Sequence, residues 1–154
     1  MPKIDPEAAP RLIGSSYPAP FDEPCKARTA VRLGLAADLT QFGVNLVTLG
    51  PGAWSSQRHW HEKEDEFVLV VSGELVLIED DGETPLVAGD SAGFKGGDRH
   101  GHHLVNRSAA DAVFLVVGGR DDEDFGEYSD IDMRFGAGRY SGRGGYFRKD
   151  GTPY

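Results

Sequence analysis

The chain has 154 residues, a formal net charge of −9, 21 glycines, 9 prolines and a single cysteine. An acid excess of this size repels polyphosphate backbones and anionic bilayer surfaces, so neither nucleic acid nor membrane is an expected partner. Cys25 alone permits no intrachain disulfide, no apolar run approaches the ~20 residues of a membrane span, and no basic-then-apolar leader is present, so a soluble cytoplasmic protein is expected.

The length fits one domain, and no long stretch shows 3.6-residue apolar periodicity. Frequent glycine and proline then point to an all-β chain of short strands joined by tight turns. Six of the nine prolines (Pro2, Pro6, Pro10, Pro18, Pro20, Pro24) fall near the start, so residues 1–29 are expected to form an extended arm over the body. The body, residues 30–120, opens with a weak strand at Ala30–Leu33 and a stronger one at Phe42–Leu49, stopped by Gly50-Pro51-Gly52.

Next comes Gln57-Arg58-His59-Trp60-His61-Glu62-Lys63-Glu64-Asp65-Glu66. In an extended strand alternate side chains share a face, which puts His59 and His61 about 6–7 Å apart on one side with Gln57 at the same parity. Arg58 and Trp60 point the other way, towards outer packing or a subunit contact. Glu66 opens the apolar strand Glu66–Ser72, and a carboxylate there must face water or have a partner, because burying it unpaired is costly. Glu64 and Asp65 read as a solvated turn.

Gly73 is expected to turn this strand into Glu74–Ile78, and Asp81-Gly82 to turn that into Thr84–Ala88, giving three consecutive antiparallel strands. After Gly89-Asp90 and the short Ser91–Phe94 comes a second histidine cluster, Arg99-His100-Gly101-His102-His103-Leu104-Val105-Asn106. Strand parity places His102, Leu104 and Asn106 on one face, with His103 opposite as a packed or surface histidine. His100 shares the parity of His102 and sits nearer the loop. Asn106 is expected to satisfy backbone groups at the strand end. Ala112–Val117 is apolar on both faces and closes the core, to which Phe42, Phe94 and Phe114 are also assigned. Asp121–Asp124 reads as a solvated acidic loop. Residues 121–154 form a tail whose aromatics (Phe135, Tyr140, Tyr146, Phe147, Tyr154) pack on the barrel or on a partner subunit.

Two imidazoles, a carboxylate and a third imidazole from a distant strand suit a divalent first-row metal. The pattern Gly52…His59-x-His61-x4-Glu66-x6-Gly73 resembles the first motif of the cupin superfamily, with one extra residue between Gly52 and His59. Gly89-Asp90…Gly97…His…Asn106 resembles the second motif, with Lys95 where a proline is usual. Counting back from Asn106 selects His102, whereas counting forward from Gly89 and Gly97 selects His100, so His100 stands as the alternative to His102. The resemblance spans roughly residues 42–118 and is similar to small single-domain bacterial cupins.

What the resemblance implies is a double-stranded β-helix (jelly-roll) barrel, commonly a homodimer. It would hold one divalent transition metal per chain (Fe, Mn, Ni or Zn) on His59, His61, Glu66 and His102. Open coordination positions on such an ion would act on a small organic molecule entering the barrel, by dioxygenase or isomerase/lyase chemistry. A sugar-phosphate isomerase is the second choice, because the acid excess disfavours a phosphorylated substrate and only Arg58 and Lys63 stand close by in sequence. Gln57 is the candidate catalytic group, bonding a substrate or metal-bound water. The alternative is a non-catalytic module that binds a small effector or a structural metal.

Overall fold

A computed structural model describes residues 3–154; Met1 and Pro2, which belong to the expected arm, lie outside the described residues. The strands are β1 (Arg11–Ile13), β2 (Arg28–Val31), β3 (Phe42–Leu49), β4 (Glu66–Ser72), β5 (Glu74–Glu79), β6 (Gly82–Val87), β7 (Ser91–Phe94), β8 (His102–Val105), β9 (Ala112–Gly119), β10 (Gly126–Glu127), β11 (Arg134–Phe135) and β12 (Tyr146–Phe147). A 3-10 turn at Glu23–Cys25 and one α-helical turn, α1 (Leu33–Ala36), complete the elements. No helix of the described residues is long and apolar enough to cross a membrane.

Six strands form one sheet in the order β1-β2-β3-β9-β4-β7, and three form a second, β6-β5-β8. Alternation explains how the two face each other. Val47 and Leu49 of β3, Val68 and Val70 of β4 and Phe114 of β9 point inward from the large sheet, against Leu75 and Leu77 of β5, Leu86 of β6 and Leu104 of β8 from the small one. Ala112–Gly119 is apolar on both faces because β9 is central, paired antiparallel with both β3 and β4. This is the jelly-roll barrel of the expected all-β class.

The expected run of three hairpin strands needs correction. β5 and β6 do pair, from Glu74↔Val87 to Glu79↔Gly82. Gly73, however, closes no hairpin: β4 pairs with β9 and β7, while β5 belongs to the other sheet. Gly73 carries the chain across at φ +78°, and a Cβ there would lie 2.9 Å from the Ala112 Cα. Phe42 is also misassigned to the core; at the start of β3 its ring is 41% exposed.

Both ends of the chain return to the barrel mouth. β1 adds to the edge of the large sheet through Arg11↔Val31 and Ile13↔Thr29. β10, β11 and β12 make a small sheet of their own, and Tyr128, Met133 and Phe135 pack with Tyr17, Phe21 and Tyr146 in a second apolar cluster.

Candidate metal centre

The segment before β4 is irregular apart from isolated bridges at Trp54, opposite Val105, and at His59, which exchanges backbone hydrogen bonds with His102 (3.2 and 2.9 Å) and also lies opposite Tyr128. The bridge at His59 ties the first histidine motif to β8, and it brings the His59 ring within 5.0 Å of the His102 ring, centroid to centroid. The His61 ring stands 5.0 Å from His59 on the other side. Glu66 enters from the first position of β4, where its backbone pairs with Gly118 of β9 and Phe94 of β7. A glycine at position 118 leaves the carboxylate without a neighbouring side chain on that strand.

His59 Nε2 lies 4.0 Å and His102 Nε2 3.0 Å from Glu66 Oε2. One ligating atom from each of His59, His61 and Glu66 falls within 4.8 Å of the others. The outward nitrogens are already committed. His59 Nδ1 lies 2.9 Å from the Gln57 carbonyl, and His61 Nδ1 lies 2.7 Å from Asp124 Oδ2, so as donors there both rings keep Nε2 free for an ion. The His102 ring stacks parallel on Phe94 at 3.5 Å, and its buried Nδ1 has no partner.

Ionisation favours the same use. Burial, reinforced by His61 and His102, holds His59 down to about 3, so it is neutral at ordinary pH. Burial alone would raise Glu66, but the hydrogen bond from His102 and the nearby imidazoles bring it to about 2. A neutral imidazole beside an ionised carboxylate is the protonation state a divalent cation binds. The donor set fits such an ion.

The other expected residues fall out differently. His100 lies outside the cluster with a 37% exposed side chain, accepting a hydrogen bond from the Asp80 backbone at 3.2 Å and facing Asp81. Gln57 does not turn inward: its Nε2 donates to the Phe21 carbonyl at 2.8 Å, because residues 55–58 are not a strand and alternation does not apply to them. Arg58 pairs with Asp80 and Asp130 on the outside. His103 is buried opposite the cluster with its Nδ1 2.9 Å from the Ser56 carbonyl. Asn106, fully buried, donates to the Leu49 and Ala110 carbonyls.

Two solvated assignments are overturned. Glu64 is buried, accepting hydrogen bonds from the Asp121 backbone, the Tyr140 hydroxyl (both 2.8 Å) and Arg139. Asp124 is wholly buried, bridging His61, the Lys63 backbone N–H (2.8 Å) and Arg139 (3.0 Å). The tail therefore braces a member of the histidine cluster. Beside the cluster is a cavity of about 340 Å³ whose walls include Tyr17, Tyr128 and four arginines, Arg28, Arg32, Arg120 and Arg139. These cations escape a sequence reading because they come from β2, the residue after it, the end of β9 and the tail; Arg58 and Lys63, the close cations in sequence, are not among the lining groups.

Residues 45–118 match the family model of the cupin domain. A cupin-superfamily sugar phosphate isomerase from Silicibacter pomeroyi is 50% identical, with a TM-score of 0.93 over 99% of this chain and 96% of that one. A candidate sugar phosphate isomerase from Acidithiobacillus ferrooxidans is 28% identical, with a TM-score of 0.74 over 82% of this chain and 80% of that one. A polyketide cyclase from Streptomyces resistomycificus, at 20% identity and a TM-score of 0.63 over 79% and 80%, shares the fold alone. No curated protein is significantly similar in sequence. With the jelly-roll barrel, both motifs in place and half of all residues shared with a cupin along nearly its whole length, the chain belongs to the cupin superfamily.

Proposed function

We propose that the protein is a metal-dependent isomerase of a small phosphorylated sugar, holding one divalent transition metal (Fe, Mn, Ni or Zn) on His59, His61, Glu66 and His102, with His102 and not His100 as the third histidine. The observation that carries this is the convergence of those three imidazoles and one carboxylate beside a cavity whose walls include Arg28, Arg32 and Arg120. The half-identical Silicibacter pomeroyi protein, described as a sugar phosphate isomerase, supports the choice over oxygenation.

The bound metal supplies a Lewis acid that polarises a substrate carbonyl or hydroxyl oxygen. Around it, residues of the chain orient the ligands. Phe94 fixes the plane of His102 by stacking, and Asp124 fixes that of His61. Burial pushes the phenols of Tyr17 and Tyr128 well up, so both stay protonated at the cavity wall. The aromatic cluster of Tyr17, Tyr128, Phe135 and Tyr146 supplies an apolar part of the cavity wall.

The test is interconversion of aldose and ketose phosphates, followed by proton NMR, with protein loaded in turn with Mn, Fe, Ni and Zn. Turnover that disappears in His59→Ala and Glu66→Gln supports the proposal. A loaded protein that binds sugar phosphates without converting any of them would make it a binding module instead.

We further propose a homodimer formed through the outer face of the large sheet. Val44, Val117 and Phe67 stand side by side there across β3, β9 and β4, with Phe67 44% and Val71 51% exposed.

A further inference from the structure

Half of β2 reads as a conventional core strand. Ala30 and Val31 are buried, and Ala30 packs in the main core, but Arg28 at the start of the strand and Arg32 just beyond its end both line the cavity. Arg28 is partly buried and Arg32 is exposed.

The chain has 25 acidic residues against 16 basic ones, and several of its arginines are paired with carboxylates. Arg58 has Asp80 and Asp130, Arg107 has Glu83, and Arg139 has Glu64 and Asp124. Arg28 has none among the described residues: Nη1 donates to the Gly14 carbonyl at 3.1 Å, and Nε is buried with no partner at all. Burial depresses its basicity, as expected of a cation kept from water without a counter-ion. Such a group is costly unless an anion answers it. Arg28 and Glu66 line the same cavity, so a single small molecule can span the two. Asn45 of β3 completes the wall: Val31 pairs with Leu46, which sets Asn45 level with Arg32, and it too lines the cavity.

We propose that Arg28 and Arg32, with the Asn45 amide, seat the phosphoryl dianion of the substrate while its sugar end reaches the histidine cluster. The planar guanidinium fork of Arg28 suits two oxygens of one phosphate, and Arg32 adds a second cation at the cavity wall. This rests on the proposed phosphorylated substrate, yet it is separable from the isomerase chemistry, because binding of phosphate alone needs neither metal nor turnover.

The experiment is isothermal titration of inorganic phosphate, ribose 5-phosphate, ribose and acetate into the full-length protein. Wild type is expected to bind both phosphates, and ribose and acetate at least ~10-fold more weakly. Arg28→Gln and Arg32→Gln each weaken phosphate binding about 10- to 100-fold, the loss of a charged hydrogen bond. Arg107→Gln, a paired surface arginine, leaves it unchanged. Should Arg28→Gln fail to fold, Arg32→Gln, at an exposed position, carries the test. Arginine-dependent phosphate binding by metal-loaded wild type that converts no aldose or ketose phosphate would support the subsite while overturning the isomerase. Phosphate bound equally by wild type and both arginine variants, phosphate not bound by wild type at millimolar concentration, or acetate bound as tightly as phosphate would each overturn the subsite.

Discussion

His61 Nδ1 and Asp124 Oδ2 lie 2.7 Å apart, with the carboxylate completely buried and 63 residues further along the chain. Asp124 accepts from the ring, and with its other oxygen it accepts the Lys63 backbone N–H at 2.8 Å, so one buried carboxylate fixes both the orientation of the ring and the path of the chain beside it. Replacing Asp124 by Asn keeps the bond to Lys63 but puts an amide donor against the ring N–H. Loss of such an outer partner typically costs 10- to 100-fold in metal affinity. Competition with a chromophoric chelator should show about that loss in Asp124→Asn; an unchanged affinity would mean that His61 is not a ligand.

Acid should unfold the metal-free protein earlier than its acidic composition alone implies. Folded His59 stays neutral down to about 3, whereas in the unfolded chain it takes up a proton near 6.5. The unfolded state therefore binds more protons between those values, and stability falls as pH drops through that window. Glu66, depressed to about 2 from 4.5, adds stability that is present above 4.5 and lost as pH falls towards 2. Urea unfolding of chelated protein should show the decline starting below pH 6.5. His59→Gln should flatten it between 6.5 and 4.5, where Glu66 does not yet contribute; an identical slope in the variant would contradict the assignment.

At Gly73 the conflict is between a side chain and the backbone of a neighbouring strand. An added methyl would meet the Ala112 Cα and the Asp111 carbonyl oxygen, both at 2.9 Å, at a positive φ. Gly73→Ala is expected to lower stability by about 1–3 kcal/mol in urea unfolding. An unaffected variant would mean that the crossing between sheets is not constrained at this point.

If the outer sheet face is the dimer contact, charge placed on it should separate the subunits. Light scattering after size-exclusion chromatography should report a dimer for wild type and a monomer for the double variant Phe67→Glu, Val71→Glu, with the barrel still folded. A monomeric wild type would remove the proposed dimer.

What could be foreseen from the residues follows from how local the information is. The spacing His59-x-His61-x4-Glu66 encodes the first motif because its members lie within one short segment leading into one strand, and β4, β5 and β9 announce themselves by apolar runs bounded by glycine. Gln57 was misplaced because alternation was extended into a segment that is not a strand. Glu64 and Asp124 looked solvated because a charged run reads the same whether it faces water or an arginine; their partner, Arg139, lies 75 and 15 residues away. The cavity arginines were invisible for a related reason. Arg28 and Arg32 flank an unremarkable alanine on a short strand, and only the pairing of β2 with β3 brings them to the cavity of the metal cluster.

The central claim is that one ion sits among three imidazoles and one carboxylate. Anomalous diffraction from crystals of protein purified without chelator or nickel resin tests it most directly. The account predicts a single strong peak per chain, about 2.0–2.3 Å from Nε2 of His59 and of His61, the Glu66 carboxylate and a His102 nitrogen, with the absorption edge naming the element. A crystal with no peak there after growth with added Mn, Fe or Zn, or with the peak at His100 instead, would contradict it.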